Sequence, residues 1–260
     1  MKRMDTLKET EWLTISKILL EIYDIQNIEV FTNRVLRIFR MLIPYSKGYF
    51  IVFDEEGKIC RELSSFLEMD EKIYETYVNS YYEKDYLRYV FDISNHTLTY
   101  RDTDIMEEEL RKKTDFYREF LHPNNIPYGA GVVLRRDGRS IGVMNYFRNN
   151  LLGDFSDKEM FILDVLKEHL SHMLFRLMVQ QKSLSQDKSD ILKKTAAMYG
   201  LSEREKEVIS CILNGMSNAE IAESMNISLS TVKKHVYHIF EKMKVNTRAQ
   251  LRAAMDKLEL

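Results

Sequence analysis

Apolar residues recur every three or four positions over Glu11–Ile25 and again over Glu29–Leu42, so both segments are predicted as amphipathic helices. Val30, Phe31, Val35, Ile38, Phe39 and Leu42 share one stripe of the second, and Pro44 stops it. The period then changes. Tyr49–Phe53 reads as a buried strand, Asp54–Gly57 as a turn and Ile59–Leu63 as the return strand. Glu68–Tyr89 and Glu107–His122 have helical spacing, while Tyr128–Arg135 and Ser140–Phe147 flank a turn at Arg136–Gly138 and form the clearest hairpin. Ser156–Gln181 is a long helix that opens with a capping box, Ser156 to Glu159. This order predicts an α/β/α sandwich around an antiparallel sheet over residues 1–183.

The stripe Leu163, Leu166, Leu170, Met173 and Leu177 fits either a seam between two copies or packing of the long helix on its own sheet. Residues 184–197 are polar at their start and are read as a linker. Beyond it every periodic segment is helical, and residues 198–260 are predicted as an all-α unit of four helices. Capping boxes at Ser202/Glu205, Ser217/Glu220 and Thr247/Gln250 mark three helix starts. Gly215 stands where the first of these helices needs a left-handed closing residue.

Composition narrows the classes. The 260 residues are 45% hydrophobic and 30% charged with 3 Pro and 9 Gly, which excludes a disordered or linker-dominated chain. No leader pattern or membrane-length apolar run is present, and Cys60 and Cys211 match no metal or redox spacing, so a reduced, cytoplasmic setting is expected. A net charge of −2 argues against nucleic-acid binding by the whole chain and requires any basic surface to be local.

Such a surface exists. Val232, Val236, Ile239, Phe240 and Met243 form the inward stripe of a helix over Ser228–Met243, and Lys233, Lys234, Tyr237 and His238 lie on its other side. Between residues 228 and 245, Lys233, Lys234, Lys242 and Lys244 oppose Glu241 alone. A short helix, a tight turn and a second helix with a basic outer face suit the major groove, and Ser230 and Thr231 can bond phosphate at the helix N-terminus. His235 and His238 lack a third ligand in register, so no metal is expected; no nucleophile–base set or P-loop is present, so no enzyme and no cofactor are expected either.

Leu201–Val208, Asn214–Ala222, Thr231–His235, Ile239–Met243 and Val245–Arg248 together resemble the LuxR-type helix-turn-helix, in order and without a gap over residues 199–255. The resemblance implies a transcription regulator whose partner is double-stranded DNA. Carried over by position, it places Lys233, Lys234 and Tyr237 at base edges, and Ser217, Asn218, Thr231 and His235 at the DNA backbone or in orienting the helix. It also implies a homodimer on DNA through the last helix, Thr247–Leu258. There Leu251, Met255 and Leu258 are the candidate seam, or else complete the local core. The alternative class is a protein-interaction adaptor that no longer binds DNA.

Residues 11–180 are similar to GAF/PAS-type sensors and to autoinducer-binding domains, through Tyr74, Tyr77, Tyr81, Tyr82, Asp85, Tyr86, Tyr100 and Asp102. The resemblance implies a small-molecule pocket that includes Tyr77, Tyr82, Asp85, Tyr86 and Tyr100. Trp12 is the sole Trp and Tyr86 follows Asp85, departures that argue against an acyl-homoserine-lactone ligand. Packing of a helix on the sheet would use the same tyrosines.

Overall fold

A computed structural model describes residues 7–87 and 95–256, and the chain divides into two compact units between Val179 and Gln180. The first unit opens with α1 (Glu9–Tyr23) and α2 (Ile28–Phe39). Asn27 caps α2 by accepting the Val30 amide at 2.9 Å. Five antiparallel strands follow: β1 (Lys47–Val52), β2 (Ser65–Leu67), β3 (Leu98–Arg101), β4 (Tyr128–Arg136) and β5 (Arg139–Arg148), arranged β2-β1-β5-β4-β3. The β4–β5 turn is tight because Asp137 and Gly138 both take positive φ, 51° and 76°.

Strand alternation gives this sheet two unlike faces. Phe50, Val52, Ala130, Val132, Met144 and Tyr146 pack against α1, α2 and the long helix α4 (Asp157–Tyr199). Leu163, Leu166, Leu170, Met173 and Leu177 of α4 are all buried in that same layer, so the stripe serves its own sheet. The other face presents Tyr49, Tyr100, Asn145 and Phe147 to short, irregular helical segments.

Three predicted elements differ here. The return strand at Ile59–Leu63 shrinks to a single bridge between Phe53 and Ile59, and pairing resumes only at β2. The Asp54 carboxylate collects the Glu56 and Lys58 amides, and the Ser64 hydroxyl accepts the Val52 amide at 3.1 Å, leaving Arg61–Leu63 to coil as a 3₁₀ turn. Strand β3 was not anticipated. The helix expected over Glu68–Tyr89 is broken into α3 (Glu71–Thr76), a π-type segment Tyr77–Tyr81 and a 3₁₀ turn Tyr82–Lys84. Tyr89 lies outside the described residues. The helix expected over Glu107–His122 is split between Glu108–Arg111 and Phe116–Leu121 by Thr114, which donates to the Arg111 carbonyl and accepts the Tyr117 amide.

Residues 184–197 do not interrupt α4, which runs through them to Tyr199. The stretch starts polar but contains neither Gly nor Pro and is composed mainly of helix-tolerant residues, so it stays helical, and near its end Thr195 and Ala196 are buried. The second unit adds α5 (Glu203–Leu213), α6 (Asn218–Ser224), α7 (Leu229–Met243) and α8 (Arg248–Asp256) around Val208, Ile209, Ile212, Ile221, Val232 and Ile239. No helix among the described residues is long and apolar enough to cross a membrane.

Candidate nucleic-acid interface and buried aromatic chamber

Helix α7 is held by both ends. Ser228 accepts the Thr231 amide at 3.1 Å, and its hydroxyl also lies 2.8 Å from that of Ser230 and 2.7 Å from that of Thr231. At the far end Lys244 takes a left-handed conformation, φ 52°, which terminates the helix. The turn from α6 uses Asn226 at φ 53°, and the Ile227 amide reaches back to the Ala222 carbonyl at 3.0 Å. With Val232, Ile239 and Met243 buried, the opposite side is set outward. Lys233 and Lys234 are exposed, Tyr237 is 60% exposed, and Thr231, His235 and His238 are half-buried. The Tyr237 hydroxyl donates to Glu241 at 2.7 Å, which orients the ring along the helix.

Two of the expected contacts have internal partners. Asn218 accepts from Arg248 at 2.6 Å while the same guanidinium bonds the Met216 carbonyl, fastening the start of α6 to α8. Ser217 caps α6, with its hydroxyl accepting the Glu220 amide at 3.3 Å and its own amide donating to the Glu220 carboxylate at 2.6 Å. Lys242 leaves the basic face as well. It donates to Glu205 at 2.7 Å and to the Gly200 carbonyl at 3.0 Å. Burial pushes the Glu205 carboxyl up, but the bonds from Lys242 and Ser202 outweigh it and hold the group below the usual range.

Of the two readings left open for α8, seam or local core, the described residues fit the second. Leu251 and Met255 are 0% and 4% exposed, because they close the second unit's own core. Leu258 lies outside the described residues.

In the first unit the structure brings Tyr77, Tyr82, Asp85, Tyr86 and Tyr100 into one cluster on the second face of the sheet. The Asp85 carboxylate accepts the Tyr77 hydroxyl at 2.7 Å and the Leu87 amide at 2.8 Å. These bonds pull the chain out of helical geometry at Asp85 (ψ 111°), which the periodicity had not indicated. Tyr77 meets Tyr82 edge-on at 6.0 Å and Phe120 at 5.6 Å. The cavity between Tyr49, Tyr77, Asp85, Phe116 and Asn145 measures about 10 Å³, roughly the minimum for one water.

Three participants were missed as site residues from sequence, Tyr49, Arg111 and Asn145, and Asp102 entered only through the resemblance. The signal was the pair of glycines at alternate strand positions. An added Cβ at Gly129 would lie 2.7 Å from the Asp102 carboxylate, and one at Gly131 2.8 Å from the Tyr100 hydroxyl, so both glycines make room on the sheet for these groups. Burial pushes Asp85 up to about 6; burial and then the Asp85 charge push Asp102 up to about 7, against the pull of Arg111. Burial also raises the Tyr77 and Tyr100 hydroxyls well above the ordinary range.

Residues 199–255 match the family model for bacterial regulatory proteins of the LuxR family (GerE). The chain is 29% identical over 136 residues to the monoamine regulon transcriptional regulator of Klebsiella aerogenes, covering 52% of this chain and 53% of that one. It is 45% identical over 60 residues to the response regulator protein VraR of Staphylococcus aureus, covering 23% and 29%. The matches therefore span about half the length of these curated relatives, or less. Among solved structures, Escherichia coli SdiA is similar at a TM-score of 0.46 and 18% identity, covering 97% of this chain and 100% of that one. The VqsR LBD domain from Pseudomonas aeruginosa is similar at 0.48 and 14%, covering 66% and 98%.

Proposed function

We propose that, with a LuxR-family helix-turn-helix at residues 199–255, the chain is a DNA-binding transcription regulator that docks α7 in the major groove. The observation that carries this is the exposed Lys233, Lys234 and Tyr237 on a helix capped at both ends, with the opposite side committed to the core. Lys233 and Lys234 supply base-edge or phosphate contacts. Thr231, Ser230, His235 and His238 flank them, and Ser217 stands at the N-terminus of α6. Asn218 acts indirectly, by holding α6 through Arg248.

Residues 1–183 are the input region, and the buried cluster around Asp85 is where a small molecule favours one arrangement of the regulator over another. Support comes from the polar groups gathered there beyond what packing needs. The regulator works as a cytoplasmic, non-enzymatic homodimer, at least on DNA, with symmetric half-sites about 34 Å apart. With Leu251 and Met255 inside the core, pairing through α8 uses its other residues.

Duplex titration tests the reading. Binding should weaken steeply with salt, the logarithmic slope being about −0.9 per phosphate neutralised. Lys233→Ala should cost roughly 1–3 kcal/mol on the operator and less on random sequence. Equal losses would make Lys233 a phosphate contact. Absence of salt-dependent binding would leave the adaptor reading in its place.

A further inference from the structure

The chamber on the second face of the sheet is unevenly charged. Asp85 and Asp102 are 3% and 1% exposed, both inside a shell of tyrosine and phenylalanine rings. Each Asp85 oxygen has one donor. Asp102 receives the Tyr86 hydroxyl on Oδ2 at 3.4 Å, while its Oδ1 is buried without a partner. The neighbouring cation is Arg111, which directs Nη1 to the Pro127 carbonyl at 2.5 Å and makes no ion pair with either acid among the described residues. Its Nε and Nη2 are buried and unmatched. Asn145, 1% exposed, lines the same cavity as Asp85, and neither end of its amide makes a full hydrogen bond.

Among the described residues, two acids against one base leave an excess of negative charge in a dry site, where an unpaired charge is costly. An anionic ligand would add to that excess, and a neutral one would leave it. A cation offsets it, and aromatic faces add to its binding. An ammonium also brings three donors, enough for Asp85 and the unmatched Asn145 Oδ1. Room comes from outside. Tyr82, edge-on to Tyr77, borders an open cleft of about 410 Å³ lined also by Phe53, Val143, Asp54, Glu56, Arg135 and Arg139. Tyr82 lines the cleft and touches Tyr77, which lines the cavity.

We propose that this chamber binds a primary ammonium on an aryl-alkyl skeleton, with Asp85 and Asn145 taking the nitrogen, Asp102 the second carboxylate it compensates, and the aryl group among the rings beside Tyr82. The proposal rests on the first unit being the input region, and it names the class of molecule read there.

The full chain should be titrated calorimetrically with phenethylammonium, with neutral 3-phenylpropanol and with anionic 3-phenylpropanoate. The ammonium should bind at least tenfold more tightly than the alcohol, and the anion should not bind. Asp102→Asn should narrow that preference several-fold. Alcohol binding equal to that of the ammonium, anion binding, or no binding by any of the three overturns the proposal. A second arm uses the unmodified chain. Lowering the pH from about 8 to about 5 should weaken ammonium binding roughly tenfold and leave the alcohol unchanged. The groups facing the ligand are Tyr74 and Tyr82, with Asp54, Glu55, Glu56, Arg135 and Arg139 around the cleft, and about the nitrogen Asp85, Asp102, Arg111 and the buried tyrosines 49, 77, 86 and 100. Burial keeps these tyrosines protonated across that range, so a flat profile also overturns it. Duplex titration of the same preparation separates the two readings. Specific DNA binding without ammonium binding removes this inference alone, and the reverse removes the regulator alone.

Discussion

Gly131 shows how much one residue can decide. A Cβ built there would sit 2.2 Å from the Met144 carbonyl, and a strand backbone has no rotamer with which to yield. Gly131→Ala should therefore destabilise the first unit by several kcal/mol, on the order of 3, read as a drop in its urea midpoint. An unchanged midpoint would mean that β4 and β5 are less closely apposed than described. The buried acids make a separate prediction. Asp102 titrates near 7 in the fold, with Asp85, Arg111, Tyr86 and Asp154 around it, and near 3.8 when unfolded. The folded state binds the extra proton, so the charged carboxylate costs stability as pH rises from about 4 through 7. Asp102→Asn should remove that cost: the variant gains on the wild type at pH 8, and the gain shrinks to its smallest value near pH 4. A difference that does not vary with pH would rule this out. Neither residue announces its role by periodicity. Gly131 reads as a weak strand position, and Asp102 follows a strand too short and too Thr-rich to stand out by periodicity.

At the level of elements, legibility followed how local the deciding forces are. Helices α1, α2 and α5 to α7 and the β4–β5 hairpin were readable because their caps, stripes and turn residues lie within a few positions of one another. The segments that misled are those around the chamber. There Asp85, Thr114 and Ser64 turn their side chains onto nearby backbone groups, and the hydrophobic period carries no trace of that competition. The outward side chains of α7 were legible by position, whereas Asn218 and Lys242 were assigned to the surface because their partners, Arg248 and Glu205, are 30 and 37 residues away. For α7 itself, Ser228→Ala removes the acceptor for the Thr231 amide and should cost about 1 kcal/mol of second-unit stability. Thermal unfolding followed by circular dichroism would show it, and a shift confined to error would mean the cap is redundant.

For the molecule as a whole, the core of the second unit is self-contained: Ala196, Leu201, Val208, Ile212, Ile239 and Leu251 all fall after residue 179. A fragment of residues 180–260 should fold cooperatively and retain salt-dependent duplex binding, within a few-fold of the parent's affinity for a single half-site. Failure to fold would show that the division of the chain is one of contacts and not of stability. The first unit places its own burden unequally on its sheet. Aliphatic packing holds one side, and rings and acids occupy the other. On the proposed reading, Tyr49, Tyr100 or Asn145 can be exchanged to suit a new chemical cue while the layer that keeps the strands together stays as it is.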